Sequence, residues 1–218
     1  MRGLTLSAVD RPIEQILCLG AHSDDLEIGC SATVLTLLAR CPDLRVTWVV
    51  MTGDERRAQE AFESAHGLLA DIPKRTVLIQ SFRDGFLPYQ GAQVKEFFES
   101  LKADVTPDLV LTHWRQDLHQ DHRLVSELTW NTFRDHLIWE YEIPKYDGDF
   151  GSPNLFVPID AAICRRKVEN LLSSFPTQAD KPWFREDLFL AVMRLRGMEC
   201  HAPSGYAEAF YCRKAVVS

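Results

Sequence analysis

Two polar clusters, roughly a hundred residues apart, carry the side chains in this sequence that could do chemistry together. The first is His22-Ser23-Asp24-Asp25, and the second is Asp117-Leu118-His119-Gln120-Asp121-His122. Each follows an apolar run of strand length, 16–19 in one case and 109–112 in the other. A lone His or Asp in a loop is ordinarily a turn residue or a helix cap. Two clusters, each placed where a strand stops, point instead to a single metal site assembled from both. In an open parallel α/β sheet, such sites lie outside the carboxyl ends of the strands.

A catalytic zinc takes three protein ligands and keeps one position open for water. His22, Asp25 and His122 supply suitable donors for that arrangement. Water on such an ion has its pKa lowered toward about 7. Asp24, beside a ligand, is placed to act as the general base. His119 precedes His122 by three residues, so on a helix or turn both rings share a side, and His119 could stabilise an oxyanion or donate a proton. Asp121 or Asp117 could accept the second ring proton of a histidine.

The elements that must position these groups are legible as alternating strands and helices. Residues 1–14 lead into a strand at 15–19, and a helix follows from Ser31 or Thr33 to about Arg40, closed by Cys41-Pro42-Asp43. Residues 45–52 read as a second buried strand and 55–69 as a helix with one broad apolar face. Arg57 and Glu60 lie one turn apart on that helix, as an ordinary surface ion pair or as a substrate contact. A strand is expected at 76–80, a Gly/Pro loop at 81–89, a helix at 94–102, a strand at 109–112 and a helix from His122 to about Trp139. A long loop at 140–158 contains a short strand at 155–157, and loops of that length tend to be functional. Helices at 161–174 and 184–197 and a strand at 206–213 complete the chain. The expectation is one α/β domain over 1–218, Rossmann-like, with a mostly parallel sheet flanked by helices and the metal site at the C-terminal strand ends.

Composition narrows the function. A length of 218 residues with 46% hydrophobic content suits one well-buried domain. A net charge of -7 with no Lys/Arg stripe argues against a nucleic-acid partner. The longest apolar runs are of strand length, so no membrane association is expected, and no signal peptide is recognisable. Cys18, Cys30, Cys41, Cys164, Cys200 and Cys212 form no CxxC pair and read as reduced thiols of a cytoplasmic protein, with Cys30 and Cys200 buried and structural. His113, His136 and His201 are spare histidines, of which His113 and His201 could line a pocket without being ligands.

The segment from His22 to Cys30 resembles the HPDDxEIGCGGT signature of the PIG-L/LmbE-like zinc-dependent N-deacetylases, and 117–123 resembles their DxHxDHR signature. Arg57-x-x-Glu60 is similar to the family's RxxE element and Asp84-Gly85-x-Leu87 to its DGxL loop. Pro176-Thr177-Gln178, Arg196-Gly197 and Tyr206-Ala207-Glu208-Ala209-Phe210 are similar to its SQ, RG and YAEAF elements. The resemblance implies His22, Asp25 and His122 as metal ligands and Asp24 as general base. It implies His119 as the group polarising the carbonyl, Asp121 as the residue tuning His119, and Arg57 and Asp84 as sugar contacts. It also implies Zn2+, with Fe2+ as the other candidate ion, and removal of the acetyl group from an N-acetylglucosamine conjugate. Two departures are Ser23 for the signature proline and Ser31-Ala32 for its paired glycines; neither removes a catalytic group.

The expected function is therefore metal-dependent hydrolysis of the N-acetyl group of a small amino-sugar conjugate. The alternatives are an amidase or esterase acting on a non-sugar substrate, or a catalytically silent metal- or sugar-binding module. A homo-oligomer is compatible with the sequence, which fixes neither the assembly state nor the aglycone.

Overall fold

In the computed structural model, which describes residues 13–216, the apolar run after Glu14 forms β1 (Gln15–Gly20). Ile16 to Leu19 are fully buried, because helices cover both faces of the strand. A strand buried on two sides reads as a continuous apolar run rather than an alternating one. Ile16 and Cys18 enter one core, and Leu17 and Leu19 enter the other.

After β1 come α1 (Asp25–Gly29), α2 (Ser31–Arg40), β2 (Arg45–Thr52), α3 (Glu55–Leu68), β3 (Lys74–Phe82) and α4 (Gly91–Asp104). The second half contributes β4 (Leu109–His113), α5 (Gln120–Thr132), β5 (Leu137–Tyr141), β6 (Leu155–Pro158), α6 (Ala161–Ser174), α7 (Glu186–Cys200) and β7 (Ala207–Cys212). The strands form one sheet in the order β3-β2-β1-β4-β5-β7-β6. The five strands from β3 to β5 are parallel, and β7 and β6 add an antiparallel edge. The larger core takes side chains from α2, α3, α6 and α7, and the smaller one takes them from α4 and α5.

The chain leaves β1 toward β2 and β3, then returns to place β4 on the other side of β1. That reversal opens a crevice at the carboxyl ends of β1 and β4, the usual place for a ligand in this architecture. The register pairs Cys18 with Leu111, so the two strands end side by side and both polar clusters enter the same crevice.

One expected element is corrected. The helix anticipated from His122 to Trp139 ends at Thr132, and Leu137–Tyr141 is a central strand, β5. Phe133 and Leu137 keep a helical spacing by coincidence across a turn in which the His136 N–H donates to Phe133 O. β5 therefore takes Glu140 and Tyr141, which shortens the following loop to 142–154. The expected lead-in at 1–14 lies largely outside the described residues.

The two signature departures can be placed as well. Ser31 and Ala32 open α2, where the Ala32 and Thr33 N–H groups donate to the Glu208 carboxylate at 3.1 and 2.7 Å. Lys167 donates to Glu208 and to Ile28 O, both at 2.6 Å. Glu208 of the YAEAF-like element thus caps a helix, satisfying orphan N–H groups. All six cysteines are free, with Cys30 buried and Cys200 only partly so.

Candidate active site and metal centre

The loop after β1 is short and folds back on itself. The Asp25 carboxylate accepts the His22 backbone N–H at 2.6 Å, which turns both side chains toward β4. Asp24 is the N-cap residue of α1, but its side chain caps nothing and is free to face the crevice. From the other strand, His119 is the N-cap of α5, with Asp121 and His122 in the first turn.

Three donor atoms converge. His22 Nδ1 lies 3.1 Å from His122 Nε2 and 3.3 Å from Asp25 Oδ2, and the third side of the triangle is 3.5 Å. Donors bound tetrahedrally at about 2.0–2.1 Å from zinc stand about 3.3 Å apart, so the set fits such an ion. All three residues are buried. His113 Nε2 also approaches Asp25 Oδ2, at 3.2 Å, and its ring stacks on His122 with centroids 3.9 Å apart. Its lone pair, however, accepts the Ala21 N–H at 3.0 Å, which leaves His22 as the better third donor.

The far ring atoms of both histidines meet carboxylates. His122 Nδ1 is 3.0 Å from Asp117 Oδ2, and His22 Nε2 is 3.3 Å from Asp121 Oδ2 and 3.2 Å from Asp84 Oδ1. Partners of this kind fix the tautomer and orientation of a ligating imidazole. Asp121 is fully buried and also accepts the Gly85 and Leu87 N–H groups at 2.8 and 3.1 Å. Gly85 presents its N–H from a left-handed turn, φ 76°, that glycine tolerates without strain. The Asp121 carboxylate therefore faces His22 and the 84–87 loop. It meets His119 only through its backbone N–H, 3.3 Å from Nδ1.

The charges follow from this packing. Burial alone would raise the Asp25 carboxyl, but His122, His113 and His22 outweigh it and hold it well below the usual range. Burial alone would lower His22, and Asp25, Asp121 and Asp84 reverse that and raise it. Burial, with His113 beside it, pushes His122 down to about 3. His119 is lowered by burial and by His22. The cage therefore brings buried carboxylates and imidazoles together around one point. Burial and Asp25 raise Asp24, with Arg57 opposing them. The bond from His22 holds Asp84 down at about 2, with Arg57 assisting.

The remaining sequence-predicted residues also gather here. Arg57 Nη2 is 3.2 Å from Asp24 Oδ1, and Nη1 is 2.9 Å from Asp84 Oδ2. Its position is set by Asp54, which caps α3 through the Arg57 N–H. Arg57 and Glu60 are not partners of one another: Glu60 turns away and accepts the Thr177 N–H at 2.9 Å. The His119 ring lies 4.7 Å from that of His22 and 4.6 Å from that of His122. His201, in contrast, is an exposed cap at the end of α7, and His136 pairs with exposed Asp135.

Residues that the sequence did not single out are Lys145 and Asp149. The Lys145 ammonium donates to Asp117 Oδ2 at 2.8 Å and reaches the Asp149 carboxylate at 2.6 Å.

The GlcNAc-PI de-N-acetylase (PIG-L) family profile matches residues 17–133, more than half of the chain and inclusive of both polar clusters. No curated protein matches the sequence. Among solved structures, N,N'-diacetylchitobiose deacetylase from Pyrococcus horikoshii has a TM-score of 0.64 at 21% identity, over 91% of this chain and 83% of that one. The 4-carboxy-2-hydroxymuconate hydratase GalB from Pseudomonas putida KT2440 gives 0.74 at 16%, over 94% and 98%. The zinc-inhibited form of teicoplanin deacetylase Orf2 gives 0.65 at 12%, over 90% and 97%. At these identities the likeness is one of fold. Among the described residues, no helix is long and apolar enough to cross a membrane.

Proposed function

The chain belongs to the GlcNAc-PI de-N-acetylase (PIG-L) family, and from that premise we propose that it is a divalent-metal-dependent N-deacetylase acting on a small N-acetylated amino-sugar conjugate. The observation that carries this reading is the triangle of His22, Asp25 and His122 donor atoms, 3.1–3.5 Å on a side, with Asp24 beside it. Zinc, or ferrous iron, is the ion proposed there. When bound, it would supply Lewis acidity toward water and the acetamide carbonyl.

The chain's own groups divide the remaining work. Asp24 has one oxygen held by Arg57, while its Oδ2 is buried without a partner. That free atom is the proton acceptor for the attacking water, and either Asp24, once protonated, or His119 would donate to the leaving amine. His119 accepts the Asp121 N–H at Nδ1, which leaves Nε2–H as its donor. Burial and His22 lower its pKa, and Nε2–H would hydrogen-bond the oxygen on which charge develops. Asp117 and Asp121 orient His122 and His22. Asp84 and Arg57, joined at 2.9 Å on the crevice wall, are the groups that would bind the sugar hydroxyls.

The test is release of free amine and acetate from a panel of N-acetylglucosamine conjugates, with Asp24→Asn as the control. The expected result is that Asp24→Asn binds metal as the wild type does and loses roughly 100- to 10,000-fold in turnover. Undiminished activity in that variant would overturn the role of Asp24. Release of acetate from O-acetyl esters alone would overturn the amide assignment.

A further inference from the structure

Loop 142–154 is fastened to the second polar cluster at two points. Asp149 accepts the Leu118 N–H at 2.7 Å, next to His119. Lys145 extends from the same loop to Asp117, and its ammonium has a partner for each of its three protons: Asp117 Oδ2 at 2.8 Å, the Asp149 carboxylate at 2.6 Å and Ile143 O at 3.3 Å. The Lys145 side chain is 13% exposed, and those of Asp117 and Asp149 are 2% and 7% exposed. This differs from a solvated surface ion pair, in which long side chains wander and contribute little.

Asp117 gives the contact its consequence. Its Oδ2 accepts from Lys145 and from His122 Nδ1, and its Oδ1 accepts the His119 N–H at 2.7 Å. One carboxylate therefore fixes the ring of His122, the backbone of His119 and the lysine of a distant loop. The orientation of the His122 ring, and with it the aim of Nε2 into the donor triangle, depends on where that carboxylate stands. Lys145 is what holds it against the loop.

We propose that Lys145 is a positioning residue for the metal centre, acting through Asp117 on His122, and that it couples loop 142–154 to metal affinity. The inference rests on the reading of His122 as a metal ligand. The same loop exposes Tyr146 and Phe150, and Lys145 is the side chain that links it to the carboxylate behind His122.

The experiment measures zinc affinity by competition with a chromogenic chelator, for the wild type, Lys145→Met, Lys145→Arg and Asp149→Asn. The unfolding midpoint of each metal-free protein is measured alongside. Loss of a direct outer-shell partner of a metal ligand typically costs 10- to 100-fold in affinity. Lys145 acts one bond further out, so Lys145→Met is expected to weaken zinc by about tenfold, with Lys145→Arg restoring most of the loss and Asp149→Asn falling between. A purely structural pin would instead lower the metal-free midpoint and leave zinc affinity unchanged. Zinc binding by Lys145→Met within twofold of wild type would overturn the inference alone. Absence of zinc binding by the wild type would overturn the ligand reading on which it stands. Should Lys145→Met not fold, Asp149→Asn and Lys145→Arg carry the comparison.

Discussion

Arg57 donates to Asp24 Oδ1 at 3.2 Å, leaving Oδ2 of the same carboxylate buried and without a partner. An arginine that binds one oxygen of a base does two things at once. It fixes the carboxylate plane, and it favours the ionised form needed to take a proton.

Removing the guanidinium should therefore be visible in pH dependence as well as in rate. Burial and Asp25 already raise Asp24, and Arg57 is the main opposing charge. Without Arg57 the Asp24 pKa rises further, so less base is ionised at a given acidic pH. Arg57→Met is expected to move the acidic limb of kcat/KM to higher pH and to lower the plateau by about 100-fold. Arg57→Lys keeps a charge without the fork, so it should retain more of the limb position than of the plateau. A profile measured from pH 5 to 9 checks both, and an unmoved acidic limb in Arg57→Met would show that Arg57 does not tune the base.

Much of this arrangement was legible in the sequence, for physical reasons. Strands covered on both faces stand out as apolar runs, and a polar cluster at the end of each can meet the other only if the strands are neighbours, as β1 and β4 are. β5 was illegible because Phe133 and Leu137 preserve helical spacing across a turn, while burial on both faces removes the alternation that would mark a strand. Lys145 was illegible because a lysine in a polar loop reads as solvated. Its partner Asp117 lies 28 residues away and is brought near only by the fold. Asp121 lies in the crevice with its carboxylate toward His22 and not toward His119, an orientation the spacing alone does not reveal, since the 84–87 loop offers it two N–H groups from that side.

Metal removal should be read first as a change in stability. Three buried donor residues, His22, Asp25 and His122, converge on one point, and a cation held by all three would bind the folded chain alone. A ligand that binds only the folded state at 100 times its Kd adds about 2.7 kcal/mol, or roughly 5–10 °C in a chain of this length. Zinc added to chelator-stripped protein is expected to raise the melting midpoint by that order. The increment should be lost in His122→Ala and Asp25→Ala and kept in Asp24→Asn. Equal increments in all four proteins would place the ion elsewhere.

Glu27 offers a separate dependence on pH. It is fully buried in α1, two residues after Asp25, with Ser64 donating to Oε1 at 2.6 Å and Oε2 without a partner. Burial pushes its carboxyl up to about 8, against the ordinary 4.5. Between those values the folded chain holds a proton on Glu27 that the unfolded chain releases, so the contribution of Glu27 to stability is greatest below about pH 4.5 and declines as pH rises toward 8. The contribution at stake is roughly 5 kcal/mol at most. Glu27→Gln mimics the protonated acid, so metal-free Glu27→Gln should match wild type at pH 5 and melt higher at pH 8. Parallel melting curves for the two proteins across that range would rule out a proton on Glu27.

Gly29 tests the packing beneath the site. A Cβ at this position would stand 2.2 Å from Tyr141 Cδ2 and 2.7 Å from its Cγ, which no side-chain adjustment short of moving the ring can relieve. Tyr141 is fully buried, and its hydroxyl donates to Leu19 O at 2.7 Å, so the ring has nowhere to go without breaking that bond. Overpacking of this kind typically costs 1–3 kcal/mol. Gly29→Ala is expected to fall at the upper end, with the melting midpoint lowered by about 5–10 °C. Gly91 supplies the contrast: it opens α4 in helical geometry, and a Cβ there meets nothing within 4 Å. Gly91→Ala should be neutral or stabilising by up to about 1 kcal/mol, because alanine restricts the unfolded chain. The Tyr141 ring lies 4.8 Å from His113, which stacks on His122. Gly29→Ala should therefore also weaken zinc binding, whereas Gly91→Ala should not, and wild-type melting and zinc affinity in Gly29→Ala would mean that Tyr141 does not support His122.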